Sequence, residues 1–404
     1  MKHVIAFDVS MGRSYMVVYN ALKKCELERE INHTRPEFLE LRELFEELTE
    51  GYGEEPHVVF EATGIYSRPL ERFMQENNYR YCLLNPLEAK LQCDTLRIHK
   101  TDRSDAHQLA LTHFTNVRRI ETETDEVYRQ LKRLSRHYSE LDDELSVTRS
   151  RMHKVIQETF PELEKIFTTK SELFLNVAQL YPHQDLVLKH SKTVIKNRIL
   201  ANTNKRISVK KAEEKAVELF EAAKQSYPAA SSTDVVCDQV RVYAKRFQEL
   251  LFQKDQCIGK MESLAEELEE YEILRSIPAI GTNTAVRIIA EIGNIRRFDN
   301  NRQLNAYAGI DIRRYQSGKF IARDKINKRG NNKHLRKIVY LSVQNMIKQR
   351  RFGGNHFVEY YDKLKTQPYN KCHKVASIAC VNKFLKTIFY LVTHNQNYDY
   401  RLAP

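Results

Sequence analysis

Two aspartates stand three positions apart in the stretch HKTDRSDAHQLA, residues 99–110, which has the pattern of a first helical turn. This spacing places the carboxylates of Asp102 and Asp105 on one face of a helix, where two like charges repel. Helix capping is one interpretation, because aspartates are common in the first turn of a helix. The other is that both carboxylates face a cation, which requires further ligands from elsewhere in the chain.

Two further carboxylates come from predicted strands. Asp8 follows the apolar run VIAF, and Glu61 lies near the end of HVVFEATG. Taken singly, the first is typical of a turn and the second of a charged strand end. Whether they join the aspartate pair depends on the order of the strands and helices around them.

The N-terminal part of the chain predicts three meandering strands and then alternating helices and strands, in the order β-β-β-α-β-α-β-α. The strands are predicted at 3–10, 14–20, 25–31, 57–64 and 79–86, and the helices at 36–51, at 67–78 and around the aspartate pair. This is the order of an RNase H-type α/β domain. In such a sheet the first strand is central and the fourth lies beside it, so Asp8 and Glu61 can approach each other.

A helix packed on that sheet can bring Asp102 and Asp105 to the same place. Four bare carboxylates raise one another's pKa strongly, whereas Mg²⁺, which prefers hard oxygen ligands, turns the repulsion into attraction. Two such ions about 4 Å apart can hold the attacking and the leaving oxygen of a phosphodiester. As a set, the four residues predict a Mg²⁺ site for phosphodiester chemistry.

The positive charge of the chain is concentrated in one segment. The net charge is +12, and residues 275–350, called the basic segment below, contain 17 Lys and Arg against 4 Asp and Glu, a net of +13. The rest of the chain has a net charge of −1. Such a concentration is typical of phosphate-backbone binding, and a solvated basic surface is the alternative. Near its start, Pro278 and Gly281 predict a tight turn before a helix, which resembles a helix-hairpin-helix.

The basic segment also contains Ser317, which precedes Gly318 and Lys319 in a stretch rich in arginine. A serine hydroxyl is a weak nucleophile unless a base or a metal activates it. Beside phosphate-binding cations it could attack a phosphodiester, although the spacing alone favours an ordinary turn. The cations predicted to bind nucleic acid, rather than only to form a solvated face, are Arg313, Arg314, Lys319, Lys328, Arg329, Lys333, Arg336 and Lys337.

The middle of the chain has a helical pattern. Apolar residues recur at alternating steps of four and three from Val127 to Val155, and a second such seam runs from Val240 to Tyr271. The seams could pair within the chain or between chains, as a coiled coil or as one face of a bundle. The predicted domains are an RNase H-type domain at 1–125, a helical region at 126–272, a basic domain at 273–350 and a C-terminal helical tail at 351–404.

Composition restricts the compartment. A run of about 18 apolar residues and a basic-then-apolar N-terminus are both missing from the sequence, which predicts neither a membrane span nor a signal peptide. Seven scattered cysteines without a CxxC pair favour a reducing compartment and give no structural zinc site.

Several stretches together resemble transposases of the DEDD insertion-sequence family, which is related to Piv-type DNA invertases and whose characterised members are guided by a bridge RNA. The stretches are AFDVS, VVFEATGIYSRPL, LNPLEAKLQ, KTDRSDAHQLA, IPAIGTNTAVRIIAEIGNIRRF, YAGI, YQSGK and INKRGNNKHLRK. They cover about half the chain, and their combination is far more specific than any one of them. Ile312 is a departure, because the family usually has proline there.

The resemblance implies a RuvC-like nuclease domain, a coiled-coil connection and a compact, mainly α transposase domain. It implies an acidic tetrad at Asp8, Glu61, Asp102 and Asp105 that holds two Mg²⁺ ions, and a catalytic serine at Ser317. It also implies donor and target DNA, a structured guide RNA, and a dimer to tetramer in which the tetrad and the serine come from different subunits. The expected location is the prokaryotic cytoplasm, at the nucleoid.

The predicted function is therefore transposition of an insertion element by a site-specific recombinase that cuts DNA through a phosphoserine intermediate. One alternative is a metal-dependent, RuvC-like nuclease that resolves junctions, in which Ser317 is only a turn residue. Another is a non-catalytic nucleic-acid-binding protein. A covalent protein–DNA adduct separates the first from the second, and Mg²⁺-dependent cleavage excludes the third.

Overall fold

The chain divides into two compact units, residues 1–125 and 126–404. The computed structural model describes residues 2–86, 89, 101–116, 118, 120, 125–203, 207–317, 320–322, 325–326 and 332–401, without the side chains of Arg313 and Phe352.

The first unit contains a five-stranded mixed sheet in the order β3-β2-β1-β4-β5. Its strands are β1 His3–Ser10, β2 Arg13–Asn20, β3 Cys25–Asn32, β4 His57–Glu61 and β5 Tyr81–Leu84, and its helices are α1 Arg35–Tyr52, α2 Arg68–Glu76 and α3 Asp102–His113. β1 pairs antiparallel with β2 and parallel with β4. The central first strand and the adjacent fourth strand predicted from the sequence are confirmed.

The two faces of the sheet are buried against different helices, because successive side chains of a strand point in opposite directions. Ile5 and Phe7 of β1 belong to a core with residues of α1 and α2. Val4 and Ala6 belong to a second core, with Ala106 and other residues of α3. The even-numbered positions of β1 therefore face α3.

The second unit is mainly helical. Its helices are α4 Glu126–Thr159, α5 Leu163–Ile166, α6 Glu172–Leu180, α7 Gln184–Leu188, α8 Lys192–Ala201, α9 Val209–Gln225, α10 Val235–Ala265, α11 Glu269–Arg275, α12 Thr282–Ile292, α13 Asn301–Ala308, α14 Lys333–Lys348, α15 His356–Lys365 and α16 His373–Thr393. Short 3₁₀ turns lie at Ile295–Arg297 and Arg350–Phe352.

The two predicted seams pair within the chain, since α4 and α10 pack along each other. The Nζ atom of Lys254 lies 2.6 Å from Asp142, and the Sγ atom of Cys257 donates to the carbonyl of Leu134 at 3.3 Å. Later residues of α10 therefore meet earlier residues of α4, so the pair is antiparallel. The prediction of the second seam was wrong at its end, because α10 stops at Ala265 and Tyr271 belongs to α11.

The end of the chain is part of a shared core rather than a separate tail. Phe357 and Phe384 pack in one cluster with Val339 of α14 and Ile289 of α12. By length and composition α16 is the one described helix apolar enough to cross a membrane, but half of that stretch is buried inside the unit. Its apolar residues are explained by this packing.

A β-hairpin interrupts the helices of the second unit. β6 Ile312–Arg313 pairs with β9 Lys325–Ile326, and β7 Gln316–Ser317 pairs with β8 Phe320–Ile321. We call the described residues 312–317, 320–322 and 325–326 the basic hairpin. The sequence predicted only a loop here, because runs of two residues are too short to show a strand period.

Candidate active site

Asp8 and Glu61 lie side by side at one end of the sheet. Phe7 pairs with Phe60 across the parallel strands β1 and β4, so Asp8 and Glu61 are the next residues on strands about 4.8 Å apart. Asp8 has the same parity as Ala6, and Glu61 the same parity as Val59, and both of those side chains pack beneath α3. The two carboxylates therefore stand on the face of the sheet that α3 covers.

The last turn of α3 lies near the start of β4, at the end of the strand away from Glu61. The ring of His113 is 5.9 Å from the ring of His57, the first residue of β4. The rise from His113 back to Asp102 is about 16 Å, and the rise along β4 from His57 to Glu61 is about 13 Å. The two lengths are comparable, so α3 is long enough to reach from the start of β4 to the end that carries Glu61.

The first turn of α3 therefore lies near the end of the sheet that carries Asp8. Arg103 binds Glu28 of β3, and the hydroxyl of Tyr15 donates to the same carboxylate at 3.3 Å. Tyr15 is the residue of β2 that pairs with Asp8.

Asp102 and Asp105 do not cap α3. The Thr101 side chain accepts a hydrogen bond from the Ser104 N–H at 3.1 Å, and Ser104 Oγ accepts one from the Thr101 N–H at 3.0 Å. This reciprocal capping box satisfies the orphan donors at the helix start. The aspartate side chains therefore do not form the N-cap, although both lie in the first turn, where the helix dipole favours a carboxylate.

The aspartates lie on the sheet side of α3. Asp102 is four residues before buried Ala106, and Asp105 is four residues before buried Leu109, so they share that helix face. Asp102 is exposed and Asp105 is half-buried. All four carboxylates of the predicted tetrad thus come from elements that meet at one end of the sheet.

α3 is attached to the sheet by a charged network around Glu28. The Glu28 carboxylate lies 2.5 Å from Arg103 Nη2 and 2.8 Å from His107 Nε2, and His107 Nδ1 is 2.7 Å from the hydroxyl of Tyr19. Hydrogen bonds from Arg103 and then from His107 lower the pKa of Glu28. The network sets the position of α3, and with it that of Asp102 and Asp105.

A cluster of three potential metal ligands lies in the same network. Among the described residues, the groups of Cys25, Glu28 and His107 form the one set of three or more within 4.8 Å of one another, and the tetrad is not so closely gathered. Glu28 already forms an ion pair with Arg103, and burial raises the pKa of the Cys25 thiol, which favours its neutral form over the thiolate that binds a metal. The tetrad is predicted to bind two ions about 4 Å apart, and ligands shared between two ions are spread more widely than the ligands of one ion.

Ser317 is an exposed residue of the basic hairpin. It pairs with Phe320, and the two residues between them, Gly318 and Lys319, lie outside the described part of the chain. The Tyr315 and Phe320 rings are exposed and meet edge to face, with centroids 6.5 Å apart. Ser317 is thus an exposed residue of a short β-structure, beside two exposed aromatic rings.

The predicted nucleic-acid-binding cations have different surroundings. Lys319, Lys328, Arg329 and the side chain of Arg313 lie outside the described residues, and Arg314 is exposed. Lys333 and Lys337 are exposed on α14, whereas Arg336 donates to the carbonyls of Ala308 and Gly309 at 3.3 and 3.4 Å. Arg336 therefore serves the C-terminus of α13 as well.

Other cations of the basic segment make contacts within the protein. Arg287 lies over the Tyr138 ring at 4.3 Å, and Arg297 lies over the rings of Phe298 and Tyr307. Arg296 pairs with Glu269 at 3.2 Å. The concentration of charge thus overstates the number of cations that can contact nucleic acid.

A buried polar network holds Asn332, which is the first described residue after the basic hairpin. Asn332 Oδ1 caps α14 by accepting from the His334 and Leu335 N–H groups, and Asn332 Nδ2 donates to the carboxylate of Glu291 at 2.8 Å. Arg136 Nη2 donates to the same fully buried carboxylate at 2.8 Å. This network was not predicted from the sequence, although the glutamate within the apolar run IIAEIG is a signal of it.

Comparisons with known proteins match both ends of the chain. Residues 5–161 match a family model described as a transposase, the DEDD model of the IS110 type, and residues 271–361 match the model described as transposase IS116/IS110/IS902 family. The tetrad lies in the first match and Ser317 in the second. Together the two matches cover more than half of the chain.

A curated relative is similar over a shorter stretch. The transposase for insertion sequence element IS1111A of Coxiella burnetii is 28% identical over 156 residues, which are 37% of this chain and 41% of that relative. The matched part thus spans less than half of either protein.

Proposed function

Because the chain belongs to the IS116/IS110/IS902 transposase family, we propose that it is the strand-transfer enzyme of an insertion element. It cuts and rejoins DNA through a phosphoserine intermediate. What supports this most directly is the position of the four carboxylates: Asp8 and Glu61 follow a pair of facing residues on adjacent strands, and Asp102 and Asp105 lie in the first turn of α3, whose cap is made by other residues.

The four carboxylates suit divalent metal ions. They offer hard oxygen donors and no thiol or imidazole, which is the donor set that Mg²⁺ prefers. When bound there, two Mg²⁺ ions would offset the charge of a phosphodiester and help a hydroxyl to lose its proton. Asp8 and Glu61 would hold them from the rigid sheet, and Asp102 and Asp105 from the first turn of α3.

Ser317 is the proposed nucleophile. Its Oγ atom attacks the phosphorus, an oxygen–phosphorus bond forms to the serine, and the bond from phosphorus to the leaving sugar oxygen breaks. The serine proton passes to a carboxylate or to water, and the leaving oxygen takes up a proton. In the second step a sugar hydroxyl of the other DNA strand attacks the phosphoserine and releases the serine, so no energy source is needed.

The full assembly is also part of the proposal. A structured guide RNA selects the donor and target DNA, and subunits associate as a dimer to tetramer, in which the tetrad of one subunit acts with the serine of another. The exposed lysines of the basic segment contact phosphates.

A denaturing gel with labelled DNA tests the nucleophile. The wild type should give a slow-migrating covalent protein–DNA species, and Ser317→Ala should bind DNA but give neither adduct nor recombinant product. Ser263→Ala, an exposed serine on α10, is the matched control and should form the adduct normally. An adduct from Ser317→Ala would identify another nucleophile.

The second candidate function is a RuvC-like nuclease that resolves junctions, which the acidic end of the sheet would serve equally well. In that case the wild type cleaves DNA in Mg²⁺ without any covalent species, because water attacks the phosphodiester. The same gel therefore distinguishes the two functions.

A further inference from the structure

A large cavity lies beside the basic hairpin in the second unit. Its volume is about 1100 Å³, and it is bounded by β6, β9, α14, α15 and α16. The described lining residues are Ile310, Ile312, Lys325, Ile326, Lys333, Arg336, Lys337, Tyr340, Tyr360, Lys374, Val375, Ile378, Ala379 and Asn382. A small-molecule pocket has a volume of roughly 300 to 1000 Å³, so this space holds more than one nucleotide-sized group.

The rim of the cavity is cationic. Lys325, Lys333, Lys337 and Lys374 are all exposed, and none of the described lining residues is acidic. Asp311 lies between the lining residues Ile310 and Ile312 in the sequence, but it does not itself line the cavity. Among the described lining residues these four lysines have no acidic partner, although Lys337 also interacts with Asp142 of α4, and a chain of phosphates supplies charges of the opposite sign.

The walls of the cavity are apolar and aromatic. Tyr340 and Tyr360 are half-buried, and the floor includes Ile310 and Ile378. One side of the Tyr360 ring has a cation, since Lys383 Nζ lies 5.3 Å from its centroid. Tyr340 follows Lys333 and Lys337 at helical spacing, so a ring and two phosphate ligands share one face of α14.

This combination fits an unstacked strand better than a duplex. A duplex presents phosphates and groove edges, and its bases are already stacked, so it cannot fill an apolar recess with base faces. A single strand offers both a chain of phosphates and open base faces, which stack on aromatic rings. Asn382 adds an amide that can donate to and accept from a base edge.

We propose that this cavity binds a single-stranded stretch of the DNA that the protein recombines, with a base stacked on Tyr340 and phosphates on the rim lysines. The inference rests on the proposed function for the choice of DNA. Ile312, Lys325 and Ile326 of the rim belong to the basic hairpin that also carries Ser317, so a strand bound at the hairpin continues into the cavity.

Binding to the full-length protein tests the proposal. Ser317→Ala protein without added metal should bind a fluorescent dodecamer of deoxythymidine at least about 10-fold more tightly than a duplex of that length. Adding Tyr340→Leu, which keeps apolar bulk, should weaken that binding about 5-fold or more, whereas Tyr340→Phe keeps the ring face and should bind normally. Equal binding of duplex and single strand, or unchanged binding by folded Tyr340→Leu protein, would overturn the proposal.

A second pair of variants guards against misfolding of the tyrosine variants. Lys374→Gln should weaken the binding and reduce the slope of log affinity against log salt by about 0.7. Lys371→Gln, which is exposed but does not line the cavity, should change neither quantity. An identical response of the two lysine variants would place the strand elsewhere.

Photocrosslinking locates the strand and identifies its source. A dodecamer with one 5-iododeoxyuridine should give adducts on the peptides of Tyr340 or Tyr360, and oligouridylate should compete more weakly than the DNA. Adducts confined to other peptides, or tighter binding of the RNA, would overturn the assignment. Because no covalent serine chemistry is involved, these results are independent of whether the adduct with Ser317 exists.

Discussion

The capping of α3 decides how its two aspartates are interpreted. A carboxylate in a first helical turn is favourable beside the helix dipole whether or not it has another role. Here Thr101 and Ser104 make both reciprocal cap bonds, so the carboxylates of Asp102 and Asp105 are not required to close the helix. Their position on the sheet side, beside the ends of β1 and β4, is what gives them a possible chemical role.

Replacing one of these carboxylates should remove activity but not the fold. Asp102 is exposed, so Asp102→Asn should change the free energy of unfolding by less than about 0.5 kcal/mol. We expect Mg²⁺ to raise the melting temperature of the wild type, and Asp102→Asn should abolish both that rise and strand exchange, because an amide is a poorer ligand for a hard cation. Recombination assays and thermal melts with and without Mg²⁺ measure both effects.

The exposed Asp255 of α10 provides the control for this substitution. Asp255→Asn removes the same charge away from the tetrad and should keep both exchange and the response to Mg²⁺. Wild-type exchange by Asp102→Asn would remove this residue from the proposed tetrad.

Single residues differ in how far the sequence reveals them. Asp8 and Glu61 could be found because each ends a strand, and strand order then places them together. Glu291 and Asn332 are 41 positions apart and belong to no shared pattern, so their contact appears only once α12 and α14 are packed. A local motif identifies ligands on neighbouring elements, but it does not identify the buried partners that hold an element in place.

At the scale of elements, Asn332 joins the start of α14 to the rest of the second unit. Its Nδ2 atom donates to the Glu291 carboxylate at 2.8 Å and lies 3.2 Å from the hydroxyl of Tyr307. Its own backbone N–H donates to the carbonyl of Tyr307 at 2.8 Å. The chain that leaves the basic hairpin is therefore fixed at residue 332 by bonds to α12 and α13.

Loss of the Asn332 side chain should cost more than loss of an ordinary cap. Asn332→Ala removes an N-cap, worth about 1 kcal/mol, and leaves the buried Glu291 carboxylate short of a donor, worth about 1–3 kcal/mol more. The expected loss in the free energy of unfolding is therefore about 2–4 kcal/mol, measured by urea unfolding.

The matched control is Asn300, which caps α13 through the N–H groups of Arg302 and Gln303 and makes no contact with Glu291. Asn300→Ala should cost only about 1 kcal/mol. Equal losses in the two variants would show that the bond to Glu291 adds no stability.

The elements themselves were largely predictable, and the exceptions have physical causes. The strands and helices of the first unit follow largely from period and caps, as for α1, which has Pro36 in its first turn. Its predicted end at residue 51 was one residue short, because the left-handed C-cap is Gly53, with a φ of 67°, and not Gly51. The second seam was predicted too long because apolar residues continue at helical spacing past Ala265, although the helix stops there. The strands of the basic hairpin were not predicted because they have two residues each, which is too short to show a strand period.

At the scale of the whole molecule, each unit contains a buried histidine whose pKa is lowered to about 4. Burial first, then the charge of Arg118, lowers the pKa of His113 to about 4. Burial first, then Lys383, lowers the pKa of His356 to about 4, and its Nδ1 atom lies 2.5 Å from the hydroxyl of Tyr398. Both rings are neutral in the folded protein at neutral pH.

Acid should therefore destabilise both units in the same pH window. An unfolded histidine takes up a proton near pH 6.5, while these two folded rings do so only near pH 4. The unfolded chain thus binds more protons between these values, so stability is complete above about pH 6.5 and falls as the pH drops towards 4.

Calorimetric melts between pH 7.5 and pH 4.5 measure this loss. His356→Asn, which can still accept from Tyr398, should melt with a smaller dependence on pH than the wild type. His113→Asn should do the same, in a separate transition if the two units unfold independently and in the shared one if they do not. His137→Asn, with a side chain that is 58% exposed, should leave the dependence unchanged. If neither buried-histidine variant differs from the wild type, the carboxylates alone account for acid unfolding, and the two histidines are not held neutral by the fold.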